Sequence, residues 1–146
     1  MVLVANCTSG CGSLLGACTG PVGSTNVYES KAGQTAETVA SAVETARLAV
    51  DAGSQGKAFG RYLTQVLVQA EEDADAAQGT FAAIQPPDQR ADELRGRLDD
   101  LLTQATGTLA ELRIAARRGR LADLPELAEP LPEVAEELDD FAEAHG

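Results

Sequence analysis

The most reactive side chains in this sequence are three cysteine thiols near its start, Cys7, Cys11 and Cys18. A thiolate is a nucleophile and a soft metal ligand. The spacing C-x3-C-x6-C differs from the paired C-x2-C pattern of zinc sites, and an odd number of cysteines cannot close into a set of disulfides. No histidine lies near these thiols, and no cysteine occurs after them. They therefore belong to an N-terminal leader and not to a folded domain.

The third cysteine ends the tetrapeptide Leu15-Gly16-Ala17-Cys18, and the residues that follow, 19–26, are small, polar and rich in Gly and Pro. The tetrapeptide resembles the bacterial lipobox, L-[ASTG]-[GA]-C. That resemblance implies that the Cys18 thiol is acylated, that the chain is cut just before it, and that the lipid holds the mature protein to a membrane. Residues 1–18 are then a signal-peptide remnant, and residues 19–26 are a flexible tether.

The leader departs from the usual signal peptide in one respect. Such a peptide needs a basic segment and then an apolar stretch of about 7–15 residues. Here no basic residue precedes Lys31, and the apolar run Met1–Ala5 is interrupted from Asn6 onward. Two explanations stay open: the sequence starts inside a longer signal peptide, or the tetrapeptide is accidental. In the second case the chain carries no lipid and is secreted or cytoplasmic. A metal or redox site in the leader is a further alternative.

Overall composition argues against several function classes. The 146 residues include 23 acidic and 11 basic side chains, a net charge of −12, which repels nucleic-acid phosphates. The only histidine, His145, is next to the C-terminus, where we expect a surface residue in a frayed helix end. The sequence has no paired Glu-x-x-His motif, no nucleophile with a His/Asp relay and no glycine-rich phosphate loop. We therefore predict no enzyme activity, no cofactor and no metal.

The body is rich in Ala and Leu and only 3% aromatic, a composition typical of packed helices. Apolar residues recur every three or four positions in four segments. The first segment begins near Asn26, with Glu29 completing a capping box, and ends where Gly53 takes a left-handed conformation. The second lies between residues 54 and 84 and carries Phe59 on its apolar stripe. The aromatic residues are expected in the core or at its rim: Tyr28, Phe59, Tyr62, Phe81 and Phe141.

The third segment starts at the Pro-Pro-Asp turn of residues 86–88 and ends at Gly119. The fourth starts near Asp123 and has Pro130 and Pro132 inside its apolar stripe. Proline removes a backbone donor and collides with the preceding turn, so this helix should bend or break near residues 128–132.

Short connections between long helices require neighbouring helices to run in opposite directions. The sequence therefore predicts an all-α domain over residues 27–146, an antiparallel up-down-up-down four-helix bundle. No run of apolar residues after Cys18 is long enough to span a membrane.

Two charge clusters have both a functional and a structural interpretation. The acidic run 71–75 could hold a divalent cation, but on a helix its carboxylates point in different directions, which favours a solvated face. Four arginines end the third helix: Arg113, Arg117, Arg118 and Arg120. They could bind a phosphate or an anionic headgroup, or they could complement the helix dipole and the nine acidic residues of segment 121–146. We favour the structural interpretation.

A cysteine in a lipobox, a Gly/Pro/Ser tether and an Ala-rich helical body with a Pro-Pro turn together resemble the small predicted lipoproteins of high-GC Gram-positive (actinobacterial) bacteria. The resemblance implies an extracytoplasmic domain that Cys18 anchors to the cell membrane. We expect a non-enzymatic binding or envelope-interaction module that meets the membrane through its lipid and binds an unidentified protein partner. The alternatives are a sensor that holds a small ligand between its helices, a cytoplasmic helical partner protein without lipid, and an enzyme.

Overall fold

A computed structural model describes residues 24–146, and within that range the regular elements are helices. They are α1 (Thr25–Ser54), α2 (Gly60–Ala82), α3 (Gln89–Arg117), α4 (Leu124–Leu127) and α5 (Leu131–His145), with a 3-10 turn at Leu121–Asp123. The predicted all-α class is confirmed. Cys18, its leader and the tether through residue 23 lie outside the described residues. No helix in the described range is both long enough and apolar enough to cross a membrane.

The fourth predicted segment consists of two helices, so the described chain has five α-helices instead of four. The α-helix stops after Leu127 and resumes at Leu131. Pro130 occupies the N-cap position of α5, and Pro132 lies in its first turn, where a missing N–H costs least. A hydrogen bond of 3.0 Å from the Leu131 N–H to the Ala128 carbonyl closes the turn between them. The expected break near residues 128–132 is confirmed.

The predicted ends of the first helix are wrong in detail. Ser24 is the N-cap residue and makes no side-chain capping bond, while Asn26 lies inside the first turn. Gly53 stays helical, and Gly56 takes the left-handed conformation, with a φ of 69°. Gly53 has a packing role, because a methyl group at this position would lie 2.8 Å from a methyl carbon of Leu63.

The second helix is shorter than the apolar pattern predicts. It begins at Gly60, and Phe59 precedes it in an extended conformation with φ −79° and ψ 144°. The third helix begins as predicted: the Asp88 carboxylate accepts a hydrogen bond of 2.9 Å from the Ala91 N–H. After the C-cap residue Arg118, Gly119 adopts a left-handed conformation with a φ of 72°, which terminates the helix.

The core is built around α1, which contacts each of the other four helices. Its buried positions are small, apart from Tyr28, and so let neighbouring helices approach closely. Larger side chains come from the other helices: Leu67 and Phe81 of α2, Leu98 and Leu109 of α3, and the stripe of α4 and α5. That stripe matches the predicted one: Leu124, Leu131, Val134, Leu138 and Phe141 are buried and Leu127 is partly buried.

Candidate functional site

One end of the helical body collects positive charge and exposed apolar side chains. Here the start of α2 meets the turn after α3, and a methyl group at Gly60 would lie 3.1 Å from the side chain of Leu121. Arg61 and Arg117 line a shallow hollow of about 420 Å³ between these segments. We call this surface the basic end, and it comprises Lys57, Phe59, Arg61, Tyr62, Arg117, Arg118, Arg120 and Leu121.

The charges of the basic end are largely uncompensated. Within residues 24–146, Lys57, Arg61, Arg117 and Arg118 take part in no ion pair. Arg120 is paired with Asp123 at 3.2 Å. A nearby carboxylate, Asp51 near the end of α1, is bound by Arg47 at 3.1 Å and is therefore already partnered.

The same surface exposes three apolar side chains. Phe59 is 86% exposed, Tyr62 65% and Leu121 40%. Phe59 and Tyr62 were expected in the core or at its rim, and their exposure corrects that expectation. The late start of α2 removes Phe59 from the helical stripe, whereas Tyr62 lies inside α2 but outside its buried stripe. Tyr28, Phe81 and Phe141 are buried as expected.

Arg113, unlike the other three arginines of the predicted cluster, forms an ion pair with a residue of α2. Its guanidinium donates through Nε and Nη2 to the carboxylate of Glu71 on α2, with Nη2 to Oε1 at 3.0 Å. The hydrogen bond that Arg113 donates to this carboxylate raises the pKa of Arg113. The pair joins α2 to α3, and both side chains are mostly shielded from solvent. The acidic segment 121–146 supplies only Asp123 as an ion-pair partner to the cluster.

The acidic run 71–75 is spread around α2. Glu71 binds Arg113, Asp73 accepts a hydrogen bond of 2.9 Å from Gln69, and Ala74 is buried in the core. In the part of the chain that the structure describes, no three His, Cys, Asp or Glu side chains are grouped as metal ligands would be.

A longer groove of about 920 Å³ runs between α1 and α2 and is open to solvent along its length. Threonine side chains line it, but their hydroxyls donate to carbonyls four residues earlier in their own helix. These bonds are 2.9 Å for Thr35, 2.8 Å for Thr38 and 2.8 Å for Thr45. These threonine hydroxyls are therefore engaged within their own helix, whereas the side chains of Lys31 and Gln34 also line the groove.

His145 lies in the last turn of α5 and is half-buried, whereas the sequence predicts a surface residue at a frayed helix end. Helix α5 continues through His145, whose ring lies 4.6 Å from that of Phe141 between ring centres. The guanidinium carbon of Arg97 lies 6.0 Å from the centre of the Phe141 ring. Burial lowers the pKa of His145, and the positive charge of Arg97 lowers it further.

The far end of the body, opposite the basic end, holds the start of α1. The Thr25 hydroxyl donates to the Asp88 carboxylate, and Arg90 pairs with Glu29 at 3.0 Å. Hydrogen bonds from Thr25 and from the Ala91 N–H lower the pKa of Asp88. Because α1 has 30 residues, about 45 Å separate its start from the basic end.

The fold defines an all-α protein, and the candidate groups described above lie on the surface of its described body. A scan against protein-family models finds no match, and searches of curated proteins and of solved structures also find none.

Proposed function

We propose that this protein is a membrane-anchored extracytoplasmic lipoprotein that carries a non-enzymatic helical binding module. The anchor is a lipid on Cys18, and the support for it is the tetrapeptide Leu15-Gly16-Ala17-Cys18, which resembles a lipobox. Helix α1 begins at Thr25, seven residues after Cys18. A segment of that length spans at most about 25 Å, so a lipid there would keep the folded body close to the bilayer.

The observation that carries the binding role is the basic end. Two exposed aromatic rings and four cations that form no ion pair within residues 24–146 do nothing for the packing of the body, whereas such groups are common in recognition surfaces. In contrast, no charged side chain of residues 24–146 is fully buried, and the most shielded pair, Glu71 and Arg113, is occupied in joining two helices. A catalytic cleft needs polar groups that converge on a shielded point, so the described interior favours binding over catalysis.

We also infer that α4 and α5 act together as one bent helix, which makes the body an antiparallel up-down-up-down four-helix bundle. The supporting contacts join Thr25 to Asp88, Gly33 to His145 and Gly53 to Leu63. Spin labels at positions 31 and 143 should then report a shorter separation than labels at positions 31 and 120. A longer separation for the first pair would contradict this topology.

Lipidation is tested by expressing the gene with its upstream genomic sequence in a Gram-positive host fed with an alkyne analogue of palmitate. The wild-type protein should take up the label and sediment with membranes, and Cys18→Ala should do neither. Cys11→Ala is the matched control, because it removes a thiol from the same leader but leaves the acylation site. Mass spectrometry of the mature protein should find an N-terminus at a modified Cys18.

The alternatives give different results in the same experiment. If the wild-type chain stays unlabelled and soluble in the cytoplasm, the protein is a helical partner protein without lipid. If Cys18→Ala is labelled as strongly as the wild type, Cys18 is not the acylation site.

A further inference from the structure

We propose that the basic end is a membrane-binding surface in its own right, at which Phe59 and Tyr62 enter the interface of an anionic bilayer. Lys57, Arg61, Arg117 and Arg118 then contact the phosphate groups of the lipids. This inference goes beyond the proposed function, because it assigns a lipid surface as the ligand and does not require a lipid on Cys18.

The aromatic side chains identify a bilayer as the ligand. Phe59 and Tyr62 flank Arg61 in the sequence at the start of α2, and their side chains are 86% and 65% exposed. Aromatic rings favour the depth of the lipid headgroups, where the apolar face is buried and a hydroxyl such as that of Tyr62 stays hydrated. A purely ionic contact with an acidic protein would use the cations and leave both rings in water.

The distribution of charge selects an anionic bilayer and orients the protein on it. The chain carries a net charge of −12, yet five of its 11 basic residues lie at the basic end. The nine acidic residues of segment 121–146 are accompanied by no Lys or Arg, and those of α5 are exposed. An anionic surface therefore attracts the basic end and repels α5, so that the protein approaches in one orientation.

The position of the basic end also constrains a lipidated chain. Helix α1 is about 45 Å long, whereas the seven residues from Cys18 to Thr25 reach at most about 25 Å. If the basic end and the lipid contact one bilayer, the helices cannot stand upright and must lie closer to parallel than to perpendicular to its surface. Only this orientation rests on the proposed lipidation.

The test uses the full chain with Cys18→Ala, so that no lipid contributes to binding. The sequence contains no tryptophan, and Phe59→Trp therefore provides a single fluorescent probe at the basic end. Vesicles of phosphatidylcholine mixed with phosphatidylglycerol should shift the emission to the blue, and vesicles of phosphatidylcholine alone should not. The binding should weaken when salt is added. Val27→Trp, at the partly exposed start of α1, is the control and should show no shift.

Two double variants separate the charges from the rings. Arg117→Ala with Arg118→Ala should weaken sedimentation with the mixed vesicles by at least about tenfold, because each cation near an anionic surface contributes to binding. Phe59→Ala with Tyr62→Ala should weaken it by about tenfold as well, through the loss of inserted apolar area. Lys31→Ala with Arg90→Ala removes the same charge elsewhere and should change binding by less than about twofold. Circular dichroism should show that all three variants keep their helix content.

Several results would overturn the proposal. It is wrong if the chain does not bind the mixed vesicles, if the Phe59→Trp variant shows no blue shift, or if the control pair weakens binding as much as the arginine pair. Binding to polyglutamate in place of vesicles, unaffected by Phe59→Ala, would assign the surface to an acidic protein partner. None of these outcomes bears on acylation of Cys18, which the labelling experiment measures separately.

Discussion

Gly33 of α1 packs directly against the backbone of His145 in α5. A methyl group at position 33 would lie 2.9 Å from both the carbonyl carbon and the carbonyl oxygen of His145. Real methyl groups do not come that close to backbone atoms, so the last turn of α5 would have to move. Gly33 therefore allows the last turn of α5 to lie close to α1 at this point.

Gly33→Ala should lower the free energy of unfolding by roughly 1–3 kcal/mol, the usual cost of overpacking, despite the better helix propensity of Ala. Gly96→Ala is the matched control, since Gly96 lies within α3 and a methyl group there meets nothing within 4 Å. The control should gain about 0.5–1 kcal/mol. Urea unfolding followed by circular dichroism measures both. Equal stabilisation of the two variants would show that α5 does not pack against Gly33.

Tyr28→Phe should stabilise the protein. The Tyr28 side chain is fully buried, with its ring 5.3 Å from that of Phe81 between centres, and its hydroxyl has no hydrogen-bond partner among the described residues. An unsatisfied buried hydroxyl costs about 1–3 kcal/mol, which Phe avoids while keeping the ring contact. Thermal and urea unfolding should both report the gain. A loss of stability in Tyr28→Phe would mean that the hydroxyl has a partner in solution.

Stability should depend on pH through His145. Burial holds the pKa of His145 below its ordinary value, so the unfolded chain takes up the proton first as the pH falls. The stabilisation by neutral His145 is therefore complete above about pH 6.5 and is lost as the pH falls from there through the folded-state pKa.

His145→Gln is the variant that isolates this effect. Its free energy of unfolding should vary less between about pH 7.5 and 5.5 than that of the wild type. Chemical unfolding at a series of pH values makes the comparison. Parallel curves for the two proteins would contradict a buried, neutral His145.

The Glu71–Arg113 pair should show energetic coupling between α2 and α3. A double-mutant cycle with Glu71→Gln and Arg113→Met should give roughly 1 kcal/mol, because both side chains are mostly shielded from water. The Glu29–Arg90 pair also joins two helices, but Arg90 is 78% exposed, so its coupling should be smaller. Equal coupling in the two cycles would show that burial does not strengthen the first pair.

Much of the fold follows from local features of the sequence. The spacing of Leu and Ala predicts the helical segments, the Pro-Pro-Asp turn predicts the start of α3, and the prolines at 130 and 132 predict the break before α5. Each of these depends on backbone chemistry within a few residues. The exact end of α1 could not be predicted in this way. Gly53 remains helical where it packs against Leu63, and the helix continues past it.

The candidate site is harder to predict, because its residues come from two separate parts of the chain. Arg117 and Arg118 are evident as a basic cluster, but Arg61, Phe59 and Tyr62 are distant from them in sequence. The apolar spacing places Phe59 on the buried stripe of a helix. In the structure Phe59 is extended, precedes α2 and is exposed. The sequence also does not show that Arg113 is paired separately from the other arginines, because its partner Glu71 is 42 residues away.

The sequence by itself determined the helical class, the position of the proline break and the acidic character of segment 121–146, because propensity, periodicity and charge act locally along the chain. It also contains the tetrapeptide at Cys18, whose lipidation stays a prediction. Tertiary structure decided which cations are paired, which aromatic rings are exposed and that His145 is half-buried against Phe141. These properties depend on contacts between residues far apart in the chain, and no local pattern specifies them.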